Sequence, residues 1–313
     1  MRRASMITTM DELLAEAKKG ERISVAVAAA EDEAALTAAV DAVNQGMAEA
    51  ILFGSAERIE EMLKAEGACA NGSLRIEDFS KQTLAAQKAV ECVRNGEAQI
   101  LLKGKIKTAD LLKAVLNGES GLRTGRLLSD VFVFEMPTRS PNKLVMITDG
   151  GVTLKPDIKQ KLEIIDNAVQ VARALGNSKP KVALLSALET VTSGLPSTYD
   201  AAVITKMCER GQIKGCVIDG PLALDNAISP EAAAIKGIDS PVAGYAEILV
   251  CPDIESANML AKSTTYFANY RLAHVIMGAA APVLIPSRAD TADAKLASIA
   301  LGKLMCQSKA SAN

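Results

Sequence analysis

The sequence predicts an α/β protein whose sheets are mostly parallel. Short runs of β-branched and aliphatic residues alternate with longer stretches of helical periodicity along the 313 residues. This alternation implies right-handed crossovers, which cover both faces of a parallel sheet with helices. Apolar residues make up 49% of the chain and aromatic residues 3%, so the core is expected to consist of Ala, Val, Ile, Leu and Met. The length favours two domains.

Strands and helices alternate strictly in the first part of the chain. The predicted helices end near Gly46, at Asn95-Gly96 and at Asn117-Gly118, residue types that commonly follow a helix. The predicted strands are 23–28, 49–54, 74–76 and 98–103, and the predicted helices are 31–48, 55–64, 81–94 and 108–116.

The pattern changes after Gly118. A polar, Gly-containing stretch near 119–128 separates two halves, and two strand-like runs then flank Pro137 and Pro141, which predicts an antiparallel pair. Alternation resumes afterwards, and the last strand and helix could belong to either half. The predicted strands are 131–134, 143–148, 181–186, 216–219, 248–251 and 275–285, and the helices are 157–175, 199–210, one from Ser229, 255–268 and one from Ala294.

Charge and targeting signals limit the function classes. The 35 basic and 37 acidic residues nearly cancel, which argues against a nucleic-acid partner. The positive N-terminus lacks an apolar segment behind it, and the longest apolar run, 275–285, is too short to span a bilayer. The six cysteines form no C-x-x-C pair and are expected to be reduced thiols. We therefore expect a cytoplasmic protein without a membrane segment.

Candidate functional residues follow the predicted strands. The clearest set is Ser287, Arg288 and Asp290, which stand between an apolar run and the final helix. A helix start and a guanidinium both favour negative charge, so this set suits an anion such as phosphate. The alternative is that Ser287 or Asp290 only caps the helix while Arg288 lies on the surface. Other strand exits carry Lys103, Lys105, Lys107, Thr108, Ser186, Asp219-Gly220-Pro221 and Asp253.

Several of these positions also have purely structural explanations. Asp219 before Gly220-Pro221 is a typical turn former, and Lys103, Lys105 and Lys107 fit a solvated loop. The lysine loop lacks the spacing of a P-loop, and no G-x-G-x-x-G is present. His274 is the single histidine and has no visible partner in the sequence, which favours an incidental position before a strand. Histidine-based catalysis is thus disfavoured, and proton transfer falls to an aspartate.

These segments resemble the phosphate acetyl/butyryltransferase family, most closely its butyryl-type branch. The likeness runs in order through nearly the whole chain. The matching segments are residues 103–116, 121–129, 157–161, 210–227, 240–244 and 287–291.

The resemblance implies a two-domain αβα architecture like that of the isocitrate and isopropylmalate dehydrogenases. Residues 1–127 and 279–313 would form one domain and residues 128–278 the other, with the active site in the interdomain cleft. It also implies a homodimer or an assembly of dimers, with no bound metal or cofactor. The implied reaction converts acyl-CoA and inorganic phosphate into acyl phosphate and CoA, so that coenzyme A is a substrate.

The resemblance also implies roles for individual residues. Arg288 would hold phosphate, and Ser287 would bind it and help to polarise the carbonyl. In the acetyl-type pattern the acid that assists thiol deprotonation falls at Ala294, so Asp290 or Asp293 would have to serve, or neither does. Lys113 replaces a second phosphate-binding arginine and cannot form its bidentate fork. We predict substrate binding by Lys103, Lys105, Thr108, Lys113, Ser186, Asp219 and Pro221.

Three alternatives stay open at this point. Acetyl or propionyl specificity depends on a pocket volume that the sequence does not give. A metal- and NAD-dependent decarboxylating dehydrogenase would need an acidic cluster and a nucleotide loop, neither of which is visible. A non-catalytic CoA-binding protein is disfavoured because the Ser287-Arg288 pair is retained.

Overall fold

The computed structural model describes residues 5–287 and 289–310. These residues form two compact units. The central unit consists of residues 5–9 and Leu127–Arg271, and the outer unit consists of Met10–Arg126 and the residues from Leu272 onward.

The observed division differs at two points from the expected domains 1–127 with 279–313, and 128–278. Residues 5–9 group with the central unit, where the Ile7 N–H donates to the Leu175 carbonyl and the Thr8 carbonyl accepts from Lys143. The return to the outer unit lies at Leu272, seven residues before 279, because a strand of that unit already begins there.

The helices and strands of the described residues follow the chain in this order. They are α1 (Met10–Ala17), β1 (Ile23–Ala28), α2 (Glu33–Asn44), β2 (Ala48–Gly54), α3 (Ala56–Ala65), β3 (Leu74–Asp78), α4 (Gln82–Arg94), β4 (Ile100–Lys103), α5 (Thr108–Val115), β5 (Ser129–Glu135), β6 (Leu144–Thr148), α6 (Ile158–Ala174), β7 (Lys181–Leu185), α7 (Pro196–Glu209), β8 (Val217–Leu222), α8 (Leu224–Ile228), α9 (Pro230–Ile235), β9 (Ile248–Val250), α10 (Ile254–Tyr266), β10 (Leu272–Met277), β11 (Val283–Leu284) and α11 (Ala292–Ala310).

The outer unit contains strands in the order β3-β2-β1-β4-β11-β10. Neighbours pair in parallel except β10 and β11, which are antiparallel. The prediction of one strand over 275–285 is therefore wrong. Both strands are buried, so the apolar run continues across the turn that Gly278 makes with φ of 95°.

The central unit contains strands in the order β5-β6-β9-β7-β8. The predicted antiparallel pair, β5 with β6, is confirmed, and the other neighbours are parallel. Helix α6 begins with a capping box, in which the Asp157 carboxylate accepts from the Gln160 N–H and the Gln160 amide accepts in return. The α/β class with mostly parallel sheets is thus confirmed.

Burial explains why the strands are uniformly apolar. Val25, Val27, Leu101 and Leu102 in β1 and β4 are at most 1% exposed, as expected for inner strands covered on both faces. Full burial of such a side chain stabilises the fold by about 1.5–3 kcal/mol. Among residues 5–287 and 289–310, no helix is both long enough and apolar enough to cross a membrane.

Candidate functional site

The site begins where β4 and β11 end side by side. The two strands pair in parallel through Leu101 with Val283 and Leu102 with Leu284, so both chains leave the sheet at the same edge. Strand β1 lies between β2 and β4, and the chain order therefore reverses at β1 and β4. Ligands of open parallel sheets bind beyond the carboxyl ends of strands at such a reversal.

Close backbone packing shapes the end of β4. The N–H groups of Gly104 and Lys105 donate to the carbonyls of Ala28 and Ala29 over 2.9 and 2.7 Å. A Cβ atom on Gly104 would lie 2.2 Å from the Ala29 oxygen, so only glycine fits. Ala29 itself has φ of 54°, which closes the end of β1 against this loop.

The start of α5 is open to an anion. Lys105, Lys107 and Thr108 are exposed there, and no side chain of the described residues caps the helix. Two other helix starts of the outer unit are occupied, since Asp32 accepts from an α2 N–H and Asp78 accepts from the first N–H of α3, whereas α4 also lacks a side-chain cap. The first turn also carries one exposed carboxylate, Asp110, but two ammonium groups and the uncapped N–H groups outweigh its charge and favour a phosphate.

Lys113 is exposed in the last turn of the same helix. Five residues separate it from Thr108, which corresponds to about 7.5 Å along the helix axis. Side chains lean toward the helix N-terminus, but the spacing of five residues turns Lys113 by about 140° around the axis from Thr108, so the two side chains lie on different faces of the helix. The predicted pair Thr108 and Lys113 thus lies on one eight-residue helix.

Ser287 and Asp290 form a closed turn after β11. The Ser287 N–H donates to Asp290 Oδ2 over 2.7 Å, and the Asp290 N–H donates to the Ser287 carbonyl over 3.1 Å. His274 Nε2 lies 3.5 Å from the same Asp290 oxygen, and both side chains are largely buried. Arg288, the central residue of the sequence hypothesis, lies outside the described residues.

The position of His274 corrects the sequence interpretation. It lies inside β10 rather than before a strand, is 4% exposed, and has Asp290 as a partner. The two residues are 16 positions apart in the sequence, beyond the range of any helix or turn pattern. They meet because β10 and β11 run antiparallel, which brings His274 back beside the exit of β11.

Lys103 lies beneath this turn rather than on an open surface. It is 4% exposed, and its ammonium donates to the carbonyls of Gly104 and Pro286 over 3.3 and 3.4 Å. Its charge is therefore held by the backbone at the exits of β4 and β11.

The two candidate acids differ in their surroundings. Asp290 is engaged by Ser287 and His274, whereas Asp293 is exposed in the first turn of α11. Burial first, and then the charges of Asp293 and Glu66, raise the pKa of Asp41. Asp293, in α11, thus lies close to the Asp41 carboxylate of α2.

The remaining predicted residues belong to the central unit. Ser186 directly follows β7, and its hydroxyl lies 2.9 Å from that of Ser197. Asp219 and Pro221 are within β8, so the prediction that they follow a strand is wrong. The pairing of β7 with β8 contains a bulge, which lets β8 continue through Pro221. Within β8 the Asp219 carboxylate accepts from the Gly220 N–H over 2.8 Å.

Sequence reasoning missed two polar groups of the central unit. The Lys161 ammonium, almost fully buried, donates to Asp200 over 2.6 Å. Asp149 accepts backbone N–H groups of Asp130, Gly151, Val152 and Thr153 after β6. Burial raises the pKa of the Asp149 carboxyl, although these backbone hydrogen bonds oppose the rise. The Lys161–Asp200 contact joins two separate helices and has no local sequence signature. Asp149 does have one, since Asp followed by Gly150-Gly151 is a common turn pattern.

A cavity of about 530 Å³ lies beside this loop in the central unit. Asp253, in its wall, already caps α10 through the Ser256 N–H, and this hydrogen bond is the main cause of its lowered pKa. Glu255 adds a second carboxylate and Lys155 a single cation, which does not suit a phosphate group. The lining residues are Thr153, Leu154, Lys155, Gln160, Asp253, Ile254 and Glu255.

Buried cysteines are unsuited to nucleophilic catalysis. Burial raises the pKa of Cys92 and of Cys216 to about 11 and that of Cys251 to about 12. At neutral pH the reactive thiolate is then about one part in ten thousand or less. Within residues 5–287 and 289–310, no group of three or more His, Cys, Asp or Glu side chains is arranged to hold a metal ion.

Ammonium groups and open helix N–H groups lie together at the exit of β4, an arrangement that suits an anion. The chain belongs to the phosphate acetyl/butaryl transferase family, whose model matches residues 76–302. It is 43% identical over 304 residues to phosphate butyryltransferase of Clostridium acetobutylicum, covering 97% of this chain and all of that one. It is 42% identical to phosphate acetyltransferase of Rhizobium meliloti, covering 94% of this chain and 92% of that one.

The fold gives the same relationship. A solved branched-chain phosphotransacylase from Enterococcus faecalis V583 superposes with a TM-score of 0.79 and 32% identity, covering 90% of this chain and 98% of that one. The predicted family is therefore confirmed.

Proposed function

We propose that the protein transfers a short acyl group between coenzyme A and inorganic phosphate. The observation that carries this proposal is the shared exit of β4 and β11, where the Ser287–Asp290 turn adjoins a glycine-dependent loop and the uncapped start of α5. This arrangement supplies donors for phosphate, and membership of the phosphate acetyl/butaryl transferase family supplies the acyl-transfer chemistry.

Phosphate is proposed to bind at the start of α5. The exposed Lys105 and Thr108 and the helix N–H groups would hold it, and the Lys113 ammonium would add charge. A phosphate oxygen would then attack the thioester carbonyl, the new C–O bond would form, and the C–S bond would break to release CoA thiolate. Ser287 is proposed to donate to the developing oxyanion, and Arg288 to neutralise the phosphate.

In the reverse direction, acyl phosphate reacts with CoA and the CoA thiol must lose its proton. We propose that one of the two acids after β11, Asp290 or Asp293, accepts this proton. The Asp290 carboxylate already accepts from the Ser287 N–H and lies 3.5 Å from His274 Nε2. Asp293 is exposed in the first turn of α11 and is therefore open to a ligand. Accessibility favours Asp293 as the proton acceptor for the CoA thiol.

Transfer is proposed to be direct, within a ternary complex. An acyl-enzyme would need a reactive nucleophile, and the raised pKa values of Cys92, Cys216 and Cys251 argue against these thiols.

The preferred acyl chain is proposed to have four carbons, butyryl or similar. Acetyl transfer is the second candidate, because relatives named for butyryl and for acetyl transfer are equally similar at 43% and 42% identity. One methylene group changes the free energy by which an enzyme distinguishes two substrates by only about 1–3 kcal/mol, so activity on both butyryl-CoA and acetyl-CoA is expected. The isocitrate dehydrogenase-like arrangement, the cleft location and the homodimer stay predictions from the resemblance.

The test is thiol release from purified protein with butyryl-CoA, followed by a colorimetric reagent. Release should require phosphate and should have a higher kcat/KM for butyryl-CoA than for acetyl-CoA. Release at the same rate without phosphate would refute acyl transfer to phosphate, and a preference for acetyl-CoA would select the second candidate.

A further inference from the structure

We propose that His274 is a positioning residue that acts through Asp290 to hold Ser287 in place. This proposal rests on the function proposed above. It goes further in giving a role to the single histidine, which the sequence pattern left as incidental.

The contacts form a short chain within the outer unit. His274 Nε2 lies 3.5 Å from Asp290 Oδ2, and that same oxygen accepts the Ser287 N–H over 2.7 Å. The 3.5 Å separation is an ion-pair distance, so an imidazole with a proton on Nε2 would attract the carboxylate and help to fix the oxygen that holds the Ser287 backbone. Because the side chains of His274 and Asp290 are only 6% and 13% exposed, solvent weakens this attraction little.

His274 is itself held rigidly. Its backbone N–H donates to Ser298 Oγ over 3.0 Å, and that hydroxyl donates to the Ala294 carbonyl over 2.8 Å. The imidazole therefore projects from a strand that is tied to α11. A buried strand is a better support for a reactive turn than the turn alone, since loops fluctuate more than strands.

Lys103 supports the other side of the same turn through the Pro286 carbonyl. Two buried nitrogen groups from β10 and β4 thus contact the segment that carries Ser287. A displacement of about 1 Å at such a position can cost about 100-fold in rate.

The test compares His274→Met, which removes the N–H donor, with His274→Gln, whose amide can place a donor near the former Nε2. We expect kcat for phosphate-dependent thiol release to fall about 10- to 100-fold in His274→Met and to recover to within about 3-fold of wild type in His274→Gln. Thr264→Val is the matched control, since it removes a buried hydroxyl whose hydrogen bond to the Ala261 carbonyl lies in the central unit, outside the contacts of His274. It should lower Tm and leave kcat unchanged.

A double-mutant cycle decides whether His274 acts through Asp290. In an Asp290→Ala background, His274→Met should cause no further loss, because the connecting carboxylate is gone. Equal losses in both backgrounds, or failure of His274→Gln to restore the rate, overturn the proposal.

One readout does not depend on activity. Because the chain has one histidine, its imidazole ¹⁵N resonances are unambiguous, and Asp290→Asn should shift the Nε2 resonance. An unshifted resonance overturns the contact even if the wild-type protein proves inactive. A shifted resonance in an inactive protein would instead count against the proposed function alone.

Discussion

Replacing Gly104 by alanine tests the close packing at the end of β4. The new Cβ would lie 2.2 Å from the Ala29 oxygen, whereas ordinary contact begins at 3.4 Å, so the two strand ends would have to separate by about 1.2 Å (3.4 minus 2.2). The obstructing atoms belong to the backbone and cannot rotate away. The separation would strain the hydrogen bonds from Gly104 and Lys105 to β1.

The expected loss of stability in Gly104→Ala follows from these contacts. Overpacking costs about 1–3 kcal/mol, and weakening two backbone hydrogen bonds adds about 0.5–1.5 kcal/mol each. We therefore expect Gly104→Ala to lower the free energy of unfolding by about 2–6 kcal/mol. A shift of about 1 Å in the loop before α5 should also reduce kcat/KM for phosphate about 100-fold.

Urea denaturation and initial rates with varied phosphate measure both effects. Gly118→Ala is the matched control, because no atom lies within 4 Å of its Cβ position, and its free energy of unfolding should change by less than about 0.5 kcal/mol. If Gly104→Ala equals Gly118→Ala in stability and in kcat/KM for phosphate, the proposed geometry of the β4 exit is wrong.

Three further substitutions test separate parts of the account. Ser287→Ala should lower kcat about 100-fold if its hydroxyl donates to the oxyanion, as measured by stopped assays of thiol release. A much smaller loss would count against that role. Cys251→Ala should keep kcat within about 3-fold, since burial raises the pKa of that thiol to about 12; loss of all activity would point to an acyl-enzyme. Asp149→Asn should change the pH dependence of stability. The pKa of Asp149 is raised in the folded protein, so the protonated carboxyl is the form that suits the fold. The stability that Asp149 contributes is therefore fully present below its unfolded-state pKa of about 4, and it is lost as pH rises through its folded-state pKa. Wild-type protein should therefore lose free energy of unfolding relative to Asp149→Asn as pH rises, and parallel urea-unfolding curves from pH 4 to 7 would contradict this.

Local patterns predicted much of the fold. The alternation of apolar runs and helices gave the parallel sheets, and Asp157 and Ser229 correctly marked helix starts, because capping depends on residues within one turn. The turn at Gly278 was missed because strands buried on both faces give one continuous apolar run. Helix α1 was also missed in the polar N-terminal stretch.

The site was predictable only in part. Ser287 and Asp290 lie three and six residues after the end of β11, so their proximity follows from sequence order. The burial of Lys103 and the contact of His274 with Asp290 depend on strands that pair across the sheet. In the sequence, Lys103 looks like a residue of a solvated loop and His274 looks like an isolated histidine. Such contacts between distant segments require the three-dimensional arrangement.

The most direct test of acyl transfer to phosphate is ³¹P NMR of a reaction containing butyryl-CoA, inorganic phosphate and the purified protein. The account predicts a new acyl-phosphate resonance that grows in equal amount to the CoA released. Release of CoA with phosphate left unchanged would show that the acyl group goes elsewhere, and the proposed function would then be wrong.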